Sequence, residues 1–124
     1  MSLGRVLVVD DDEDIRGTLG AVLQAEGFDV LEARNGLHAL QQLLRNPLPD
    51  VILLDMTMPV MTGFEFLEMQ QEDPRIRAIP VIAVTVHVRV AEIRGVRRLV
   101  RKPFDLNQLL EVLREVVAES RPLT

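Results

Sequence analysis

The stretch Val51-Ile52-Leu53-Leu54-Asp55 puts four consecutive apolar residues directly before a carboxylate. A short run without a polar face is typical of a strand that is buried on both faces of a parallel sheet. The stretch Arg5-Val6-Leu7-Val8-Val9-Asp10 repeats the pattern and also ends at an aspartate. The two stretches therefore predict two strands of one parallel sheet, each followed by an acidic residue.

Three more short runs complete the predicted sheet. They lie at 28–32, at 81–84 behind Pro80, and at 96–100. The pair Asn35-Gly36 predicts a turn after the second of the five strands. Because helical segments separate the strands, the pattern predicts an α/β domain with right-handed crossovers and a parallel sheet that is covered on both faces. We expect residues 1–124 to form this single domain.

Apolar residues recur at helical spacing between the strands and after the last one. Gly27 and Asn46-Pro47 predict the ends of the first two helices. Thr62 with Glu65, and Asp105 with Gln108, predict the starts of the third and the last. The predicted apolar stripes are Ile15, Leu19, Val22 and Leu23; Leu37, Leu40, Leu43 and Leu44; Phe66, Leu67 and Met69; and Leu106, Leu109, Leu110, Leu113, Val116 and Val117.

Composition narrows the functional classes. The chain has no cysteine, which excludes disulfides and thiolate metal sites and predicts a reducing, cytoplasmic setting. Its apolar runs are too short to span a bilayer, so no membrane is expected. The net charge of −5 argues against direct binding of nucleic acid. Thirteen of the fourteen basic residues are arginine, and Lys102 is the one lysine.

Chemistry-bearing residues follow four of the predicted strands. They are Asp10-Asp11-Asp12, Asp55, Thr85 and Lys102. Because the carboxyl ends of parallel strands meet at one edge, these side chains are expected to lie together. Hard carboxylate oxygens favour Mg²⁺, which completes its shell with water and phosphate oxygens. A carboxylate beside such an ion can act as a nucleophile and become an aspartyl phosphate.

Each of these residues also has an ordinary structural explanation. Acidic residues at 10–14 can cap a helix, and a lone aspartate such as Asp55 often belongs to a turn. Thr85 suits a strand, and Lys102 could be a solvated surface charge. No member of the set is specific by itself, so the functional prediction depends on their joint placement.

The ordered motifs resemble the receiver domain of bacterial response regulators. They are Val8-Val9-Asp10-Asp11-Asp12, Leu53-Leu54-Asp55-Met56-Thr57-Met58-Pro59, Val84-Thr85 and Lys102-Pro103-Phe104. The resemblance covers nearly the whole chain. It implies the flavodoxin-like (βα)5 fold, a three-layer sandwich with sheet order 2-1-3-4-5. It also implies a two-component phosphorelay in which a histidine kinase or histidine phosphotransfer protein donates a phosphoryl group to aspartate.

The resemblance also assigns roles to individual residues. It makes Asp55 the phosphoryl acceptor and a ligand of Mg²⁺. Asp11 would bind the ion directly, Asp10 directly or through water, and Thr57 through its main-chain carbonyl. Such a domain catalyses only its own phosphorylation and slow dephosphorylation.

Two residues are assigned to the phosphoryl group itself. Thr85 would donate a hydrogen bond to one phosphoryl oxygen, and Lys102 would pair with another. The Lys102-Pro103 peptide bond is expected to be cis. The output would pass to an effector domain or a separate protein.

Three departures from the family pattern bear on signal output. Only 17 positions separate Thr85 from Lys102, which predicts a short, displaced or missing fourth helix, and the alternating residues at 84–90 look strand-like. Leu99 stands where the family has its switch aromatic. Val86 stands where a small residue is common, which would narrow access to Asp55. We hypothesise that the signal leaves by an altered route and that His87 screens the aspartyl phosphate.

Two other functions stay open on the sequence. A degenerate receiver that serves as a phosphorylation-independent interaction module is favoured by Leu99 and the shortened segment. A hydrolase of the haloacid-dehalogenase kind fits the acidic triplet at 10–12 but leaves Asp55 unexplained. Neither a Gly-x-Gly-x-x-Gly nor a Walker loop is present, which argues against a nucleotide-binding protein. The arginines at 89, 94, 97, 98 and 101 are interpreted as a solvated face rather than a docking site.

Overall fold

The computed structural model describes residues 2–86 and 93–120. Within them, five strands alternate with helices. The strands are β1 (Arg5–Val9), β2 (Asp29–Ala33), β3 (Val51–Leu54), β4 (Val81–Thr85) and β5 (Arg98–Arg101). The helices are α1 (Glu13–Ala25), α2 (Gly36–Arg45), α3 (Gly63–Glu72) and α4 (Leu106–Ser120). None of the described helices is long and apolar enough to cross a membrane.

The sheet has the order β2-β1-β3-β4-β5, and every neighbouring pair is parallel. This confirms the predicted α/β fold with sheet order 2-1-3-4-5. In the register of the central pair, Val9 lies opposite Leu54. The next residues along these strands, Asp10 and Asp55, therefore leave the sheet side by side.

The doubly buried strands divide the core into two layers. Alternate residues of β1 and β3, such as Val8 and Leu53, pack with α1 and α4 on one face of the sheet. Their neighbours Val9 and Leu54 pack with α2 and α3 on the other face. Because both faces are covered, neither strand needs a polar alternate position, as the two apolar runs predicted.

The starts of the helices follow local capping chemistry. Thr62 Oγ1 accepts the Glu65 N–H at 3.1 Å, and the Glu65 carboxylate accepts the Thr62 N–H at 3.0 Å. This reciprocal capping box confirms the predicted start of α3. Asp105 likewise accepts the Asn107 N–H at 2.7 Å before α4. The predicted turn at Asn35-Gly36 lies one residue earlier, because the chain bends at Arg34 and Asn35 and Gly36 already begins α2. Asn35 caps α2 by accepting the His38 N–H at 2.8 Å.

Three predicted apolar stripes were partly wrong, and one of them is that of α4, where Leu106 is exposed. In α2, Leu44 is 74% exposed and Leu37 is also exposed. The buried residues of α2 are Gly36, Ala39 and Leu43, which form a narrow face. Leu44 follows Leu43 directly and is therefore rotated by about 100° around the helix axis, so its side chain points to solvent. In α3, Met69 is exposed for the same reason.

The structure describes only part of the connection between β4 and β5. β4 ends at Thr85, and β5 begins at Arg98, two residues later than predicted. The described residues between them, Val86 and 93–97, contain no helix. His87, Arg89 and most of the predicted alternation at 84–90 lie outside the described residues.

Candidate functional site

Three carboxylates converge at the carboxyl edge of the sheet. Asp55 follows β3, and its N–H donates to the Val9 carbonyl at 2.9 Å, which holds the ends of β1 and β3 together. Carboxylate oxygens of Asp10, Asp11 and Asp55 all lie within 4.8 Å of one another. Asp10 and Asp55 are 3% and 6% exposed, whereas Asp11 is exposed. The cluster therefore has a buried floor and one side open to solvent.

Lys102 reaches the same cluster from the end of β5. Its main-chain N–H donates to the Thr85 carbonyl at 3.0 Å, which continues the β4–β5 ladder by one residue. Its Nζ lies 2.7 Å from Asp10 Oδ2 and 3.7 Å from Asp55 Oδ2, and its side chain is 16% exposed. The Lys102–Pro103 peptide bond is cis, as expected. Lys102 is thus a partly buried counter-ion rather than a solvated surface charge.

The pKa of Asp55 is raised from its ordinary value of 3.8 to about 6. Burial is the main cause, and the charges of Asp10 and Asp11 add to it. The Thr57 N–H, which donates to Asp55 Oδ1 at 3.2 Å, and the Lys102 ammonium act in the opposite direction. Burial lowers the pKa of Lys102, but its hydrogen bond to Asp10 and the surrounding carboxylates outweigh this and raise it.

The other residues that the sequence analysis singled out lie just after β3, at the end of β4 and along or beside β5. Thr85 is buried at the end of β4, next to β3 in the sheet, and Thr57 is exposed two residues beyond Asp55. Val86 is 65% exposed, so its side chain extends into solvent. Leu99 is half-buried and packs against the core layer that contains α2 and α3. Of the predicted basic face, Arg97 and Arg98 pair with Glu119 on α4.

The donor set fits Mg²⁺. Three carboxylates against one ammonium leave the cluster short of positive charge. The pKa of Asp55 is raised mainly by burial, and the charges of Asp10 and Asp11 add to that rise. Hard oxygen ligands with one open side match a small divalent cation that keeps several waters. Asp10, Asp11 and Asp55 are the side chains that would hold it.

Comparison with known proteins agrees with this geometry. The sequence profile described as response regulator receiver domain matches residues 6–114. This chain belongs to the response regulator receiver family. Protein PilH of Pseudomonas aeruginosa is 35% identical to this receiver domain over 121 residues, which cover 94% of this chain and 99% of PilH. The polar-differentiation response regulator DivK of Brucella anthropi is 29% identical and covers 93% and 97%.

Solved receiver structures share the fold. The chemotaxis response regulator CheY4 of Vibrio cholerae is 31% identical, with a TM-score of 0.84, and the match covers 93% of this receiver domain and 99% of CheY4. The response regulator TrrA of Thermotoga maritima, solved in complex with Mg²⁺-BeF, is 28% identical with a TM-score of 0.79 and covers 94% and 99%. These matches make the receiver domain a module of two-component signalling rather than a conventional enzyme.

The sequence analysis assigned no site role to Arg16, Gly63 or Val60. Arg16 donates to the main-chain carbonyl of Asp10 at 2.8 Å. Gly63 lies against the Asp55–Met56 backbone, where a Cβ would come within 2.7 Å of the Asp55 carbonyl oxygen. Val60 has a positive φ of 69° between Pro59 and Met61. The glycine directly after Thr62 is a sequence signal for the close approach of α3 to the Asp55–Met56 backbone. The sequence contains no such signal for Arg16 or Val60.

Replacing Asp55 by asparagine is expected to stabilise the metal-free protein at neutral pH. The folded protein holds a proton on Asp55 up to about pH 6, whereas the unfolded chain loses it near 3.8. Stability should therefore fall as pH rises between these values, by up to about 3 kcal/mol. Asp55→Asn removes this loss, and thermal unfolding across the interval measures the difference.

Comparison of the two proteins isolates Asp55 from other titrating groups. Lys102, with its raised pKa, stays charged throughout the interval. His38, whose pKa is lowered by burial and by Arg34, Arg16 and Arg45, titrates in both proteins. Asp29→Asn is the matched control, because it removes an exposed carboxylate at the start of β2. Parallel stability curves for wild type and Asp55→Asn would contradict the prediction.

Proposed function

We propose that this receiver domain accepts a phosphoryl group on Asp55 in a Mg²⁺-dependent reaction and signals by a change of conformation. One observation carries the proposal: the Asp55 carboxylate lies within 4.8 Å of those of Asp10 and Asp11 and 3.7 Å from the Lys102 ammonium. The donor would be a phosphohistidine on a histidine kinase or a histidine phosphotransfer protein. An Asp55 oxygen forms the new bond to phosphorus while the bond from histidine nitrogen to phosphorus breaks.

The residues of the site divide the work of this transfer. The Thr57 N–H holds Asp55 Oδ1, which fixes the plane of the nucleophilic carboxylate. Lys102 offers a compact positive charge to the incoming phosphoryl oxygens, and Thr85 offers a hydroxyl donor at the end of β4. Mg²⁺, bound by Asp10, Asp11, Asp55 and the Thr57 carbonyl, would supply the remaining charge neutralisation. Positioning and charge stabilisation are the main requirements of phosphoryl transfer.

The relatives support the wider role. DivK and CheY4 carry response regulator in their names, and TrrA was solved with Mg²⁺ and a beryllium fluoride. By extension we propose that residues 1–124 act as one receiver domain in the cytoplasm. Its output would go to an effector domain or a separate protein.

Intact mass spectrometry tests the proposal directly. Protein incubated with acetyl phosphate and Mg²⁺ is expected to gain one phosphoryl group, and the adduct should disappear in Asp55→Asn and in excess chelator. Asp29→Asn should retain it, because that carboxylate lies at the opposite edge of the sheet. A missing adduct in a folded wild-type protein that binds Mg²⁺ would refute phosphoryl acceptance.

A second candidate is a degenerate receiver that works as a phosphorylation-independent interaction module. Two features of the sequence favour it: Leu99 stands where the family has its switch aromatic, and only 17 positions separate Thr85 from Lys102. The complete set of Asp10, Asp11, Asp55 and Lys102 argues for the first candidate. The same mass measurement separates the two.

A further inference from the structure

We infer that Arg16 is a positioning residue for the proposed Mg²⁺ site, and the inference rests on that proposed function. Arg16 lies one turn into α1, and its side chain is 17% exposed. Its Nη1 donates to the main-chain carbonyl of Asp10 at 2.8 Å, and its Nε donates to Glu32 Oε1 at 3.2 Å. One guanidinium thus joins the ends of β1 and β2 directly beside the acidic cluster.

The bond from Arg16 completes the fixation of Asp10. The Asp10 N–H donates to the Ala33 carbonyl at 3.1 Å. Asp10 Oδ1 accepts the Asp12 N–H at 2.9 Å, and Oδ2 accepts Lys102 Nζ at 2.7 Å. Together with the carbonyl, all four polar atoms of Asp10 have partners. Four hydrogen bonds therefore fix the orientation of Asp10, and Arg16 makes one of them.

The Asp10 carbonyl also affects Asp11, because it belongs to the peptide unit that joins the two residues. That unit is planar, so the direction of the C=O sets the direction in which the chain enters Asp11. Asp11 is the exposed member of the cluster. By holding the carbonyl, Arg16 orients the backbone that presents the Asp11 carboxylate to the site.

Glu32 in turn orients Arg16. Its carboxylate lies against α1, where a Cβ on Gly20 would come within 3.2 Å of Glu32 Oε2. Gly20 leaves the room that this carboxylate occupies. Arg16 donates to the Asp10 carbonyl after β1 and to the Glu32 carboxylate on β2 at the same time. The planar guanidinium has two donor groups in the right arrangement for this, whereas the ammonium of a lysine is a single point charge.

If Arg16 acts only through its charge, its removal should change Mg²⁺ affinity in one direction, and if it acts by positioning the ligands, in the opposite direction. As a mere positive charge near the carboxylates, Arg16 would repel Mg²⁺, and its removal would tighten binding. As a positioning residue, it pre-orders two ligands, and its removal weakens binding. Residues that orient metal ligands typically change metal affinity by about 10-fold to 100-fold.

Calorimetric titration of Mg²⁺ into wild type, Arg16→Lys and Arg16→Met distinguishes these roles. Both variants are expected to bind Mg²⁺ about 10-fold more weakly, including Arg16→Lys, which keeps the charge but loses the fork. Arg114→Met is the matched control, since it removes an Arg–Glu pair with Glu26 at the far end of α1. Unchanged affinity, or tighter binding by Arg16→Met, would overturn the inference.

A metal-free measurement keeps this test separate from the proposed function. Hydrogen exchange of the Asp12 amide, which donates to Asp10 Oδ1, should be about 10-fold faster in Arg16→Met than in Arg114→Met. Equal exchange rates would overturn the positioning role even if Mg²⁺ affinity changed. A wild-type protein that binds no Mg²⁺ would remove the proposed function and with it the inferred role, whereas normal wild-type binding with unaffected Arg16 variants would remove the inferred role alone.

Discussion

Replacement of Lys102 by methionine is expected to lower the free energy of unfolding of the metal-free protein by about 3 kcal/mol near neutral pH. The ammonium bonds to Asp10 at 2.7 Å and approaches Asp55 at 3.7 Å, and both carboxylates are buried. Methionine keeps much of the apolar stem but leaves the acidic cluster without its cation. Denaturant unfolding in the presence of chelator measures the loss.

Saturating Mg²⁺ should recover a large part of this loss. In the variant, the ion meets three carboxylates that no ammonium neutralises, so its binding should tighten by about 10-fold or more. The rise in unfolding temperature on addition of Mg²⁺ should therefore be larger for Lys102→Met than for wild type. Equal rises would show that Lys102 and the ion do not share these carboxylates.

Two control variants separate charge from geometry at this position. Lys102→Arg retains the positive charge and should lose less stability than Lys102→Met, although a planar fork fits the point contact with Asp10 less well. Arg77→Met removes an exposed cation that precedes β4, at the opposite edge of the sheet. It should change neither the stability nor the response to Mg²⁺ by more than about 0.5 kcal/mol.

The parts of the fold that could be predicted from sequence are those with local signals. The runs at 6–9 and 51–54 predicted doubly buried strands because four apolar residues in a row fit few other environments. The Thr62–Glu65 capping box predicted the start of α3 because both of its bonds form within four residues. The exposure of Leu44 could not be predicted, since it depends on how α2 lies on the sheet.

The acidic cluster shows how far sequence reasoning reached within the site. From sequence, the acidic residues at 10–14 could either cap a helix or form a functional site. The structure shows that different residues of this segment do each. Asp12 caps α1 by accepting the N–H groups of Asp14 and Ile15 at 3.0 and 3.1 Å. Asp10 and Asp11 instead lie beside Asp55. Arg16 could not be found this way, because its acceptors Asp10 and Glu32 meet only after β1 and β2 pair.

Gly63→Ala is expected to destabilise the protein by about 3 kcal/mol, because the new methyl group has no space. A Cβ at this position would lie 2.7 Å from both the Asp55 carbonyl oxygen and the Met56 Cα. These are backbone atoms, so relief requires moving α3 away from the end of β3 or moving Asp55 itself. Thermal and denaturant unfolding would report the loss.

Gly17→Ala is the matched control and should have the opposite sign. Gly17 lies within α1 and is exposed, and a Cβ there would meet nothing within 4 Å. Alanine restricts the unfolded chain and favours the helix, so a gain of about 0.5–1 kcal/mol is expected. Similar stabilities for the two variants would contradict the close approach at Gly63.

The functional consequence of Gly63→Ala follows from the atom that it contacts. The Gly63 N–H also donates to the Met56 carbonyl at 3.2 Å, so the first turn of α3 sets the path of the chain directly after Asp55. A shift there moves the Asp55 carboxylate relative to Asp10 and Asp11. At a temperature where the variant is still folded, Mg²⁺ affinity should fall by about 10-fold, whereas Gly17→Ala should bind as wild type does. A destabilised variant with unchanged affinity would show that α3 moves and Asp55 stays, which would make Gly63 a determinant of packing alone.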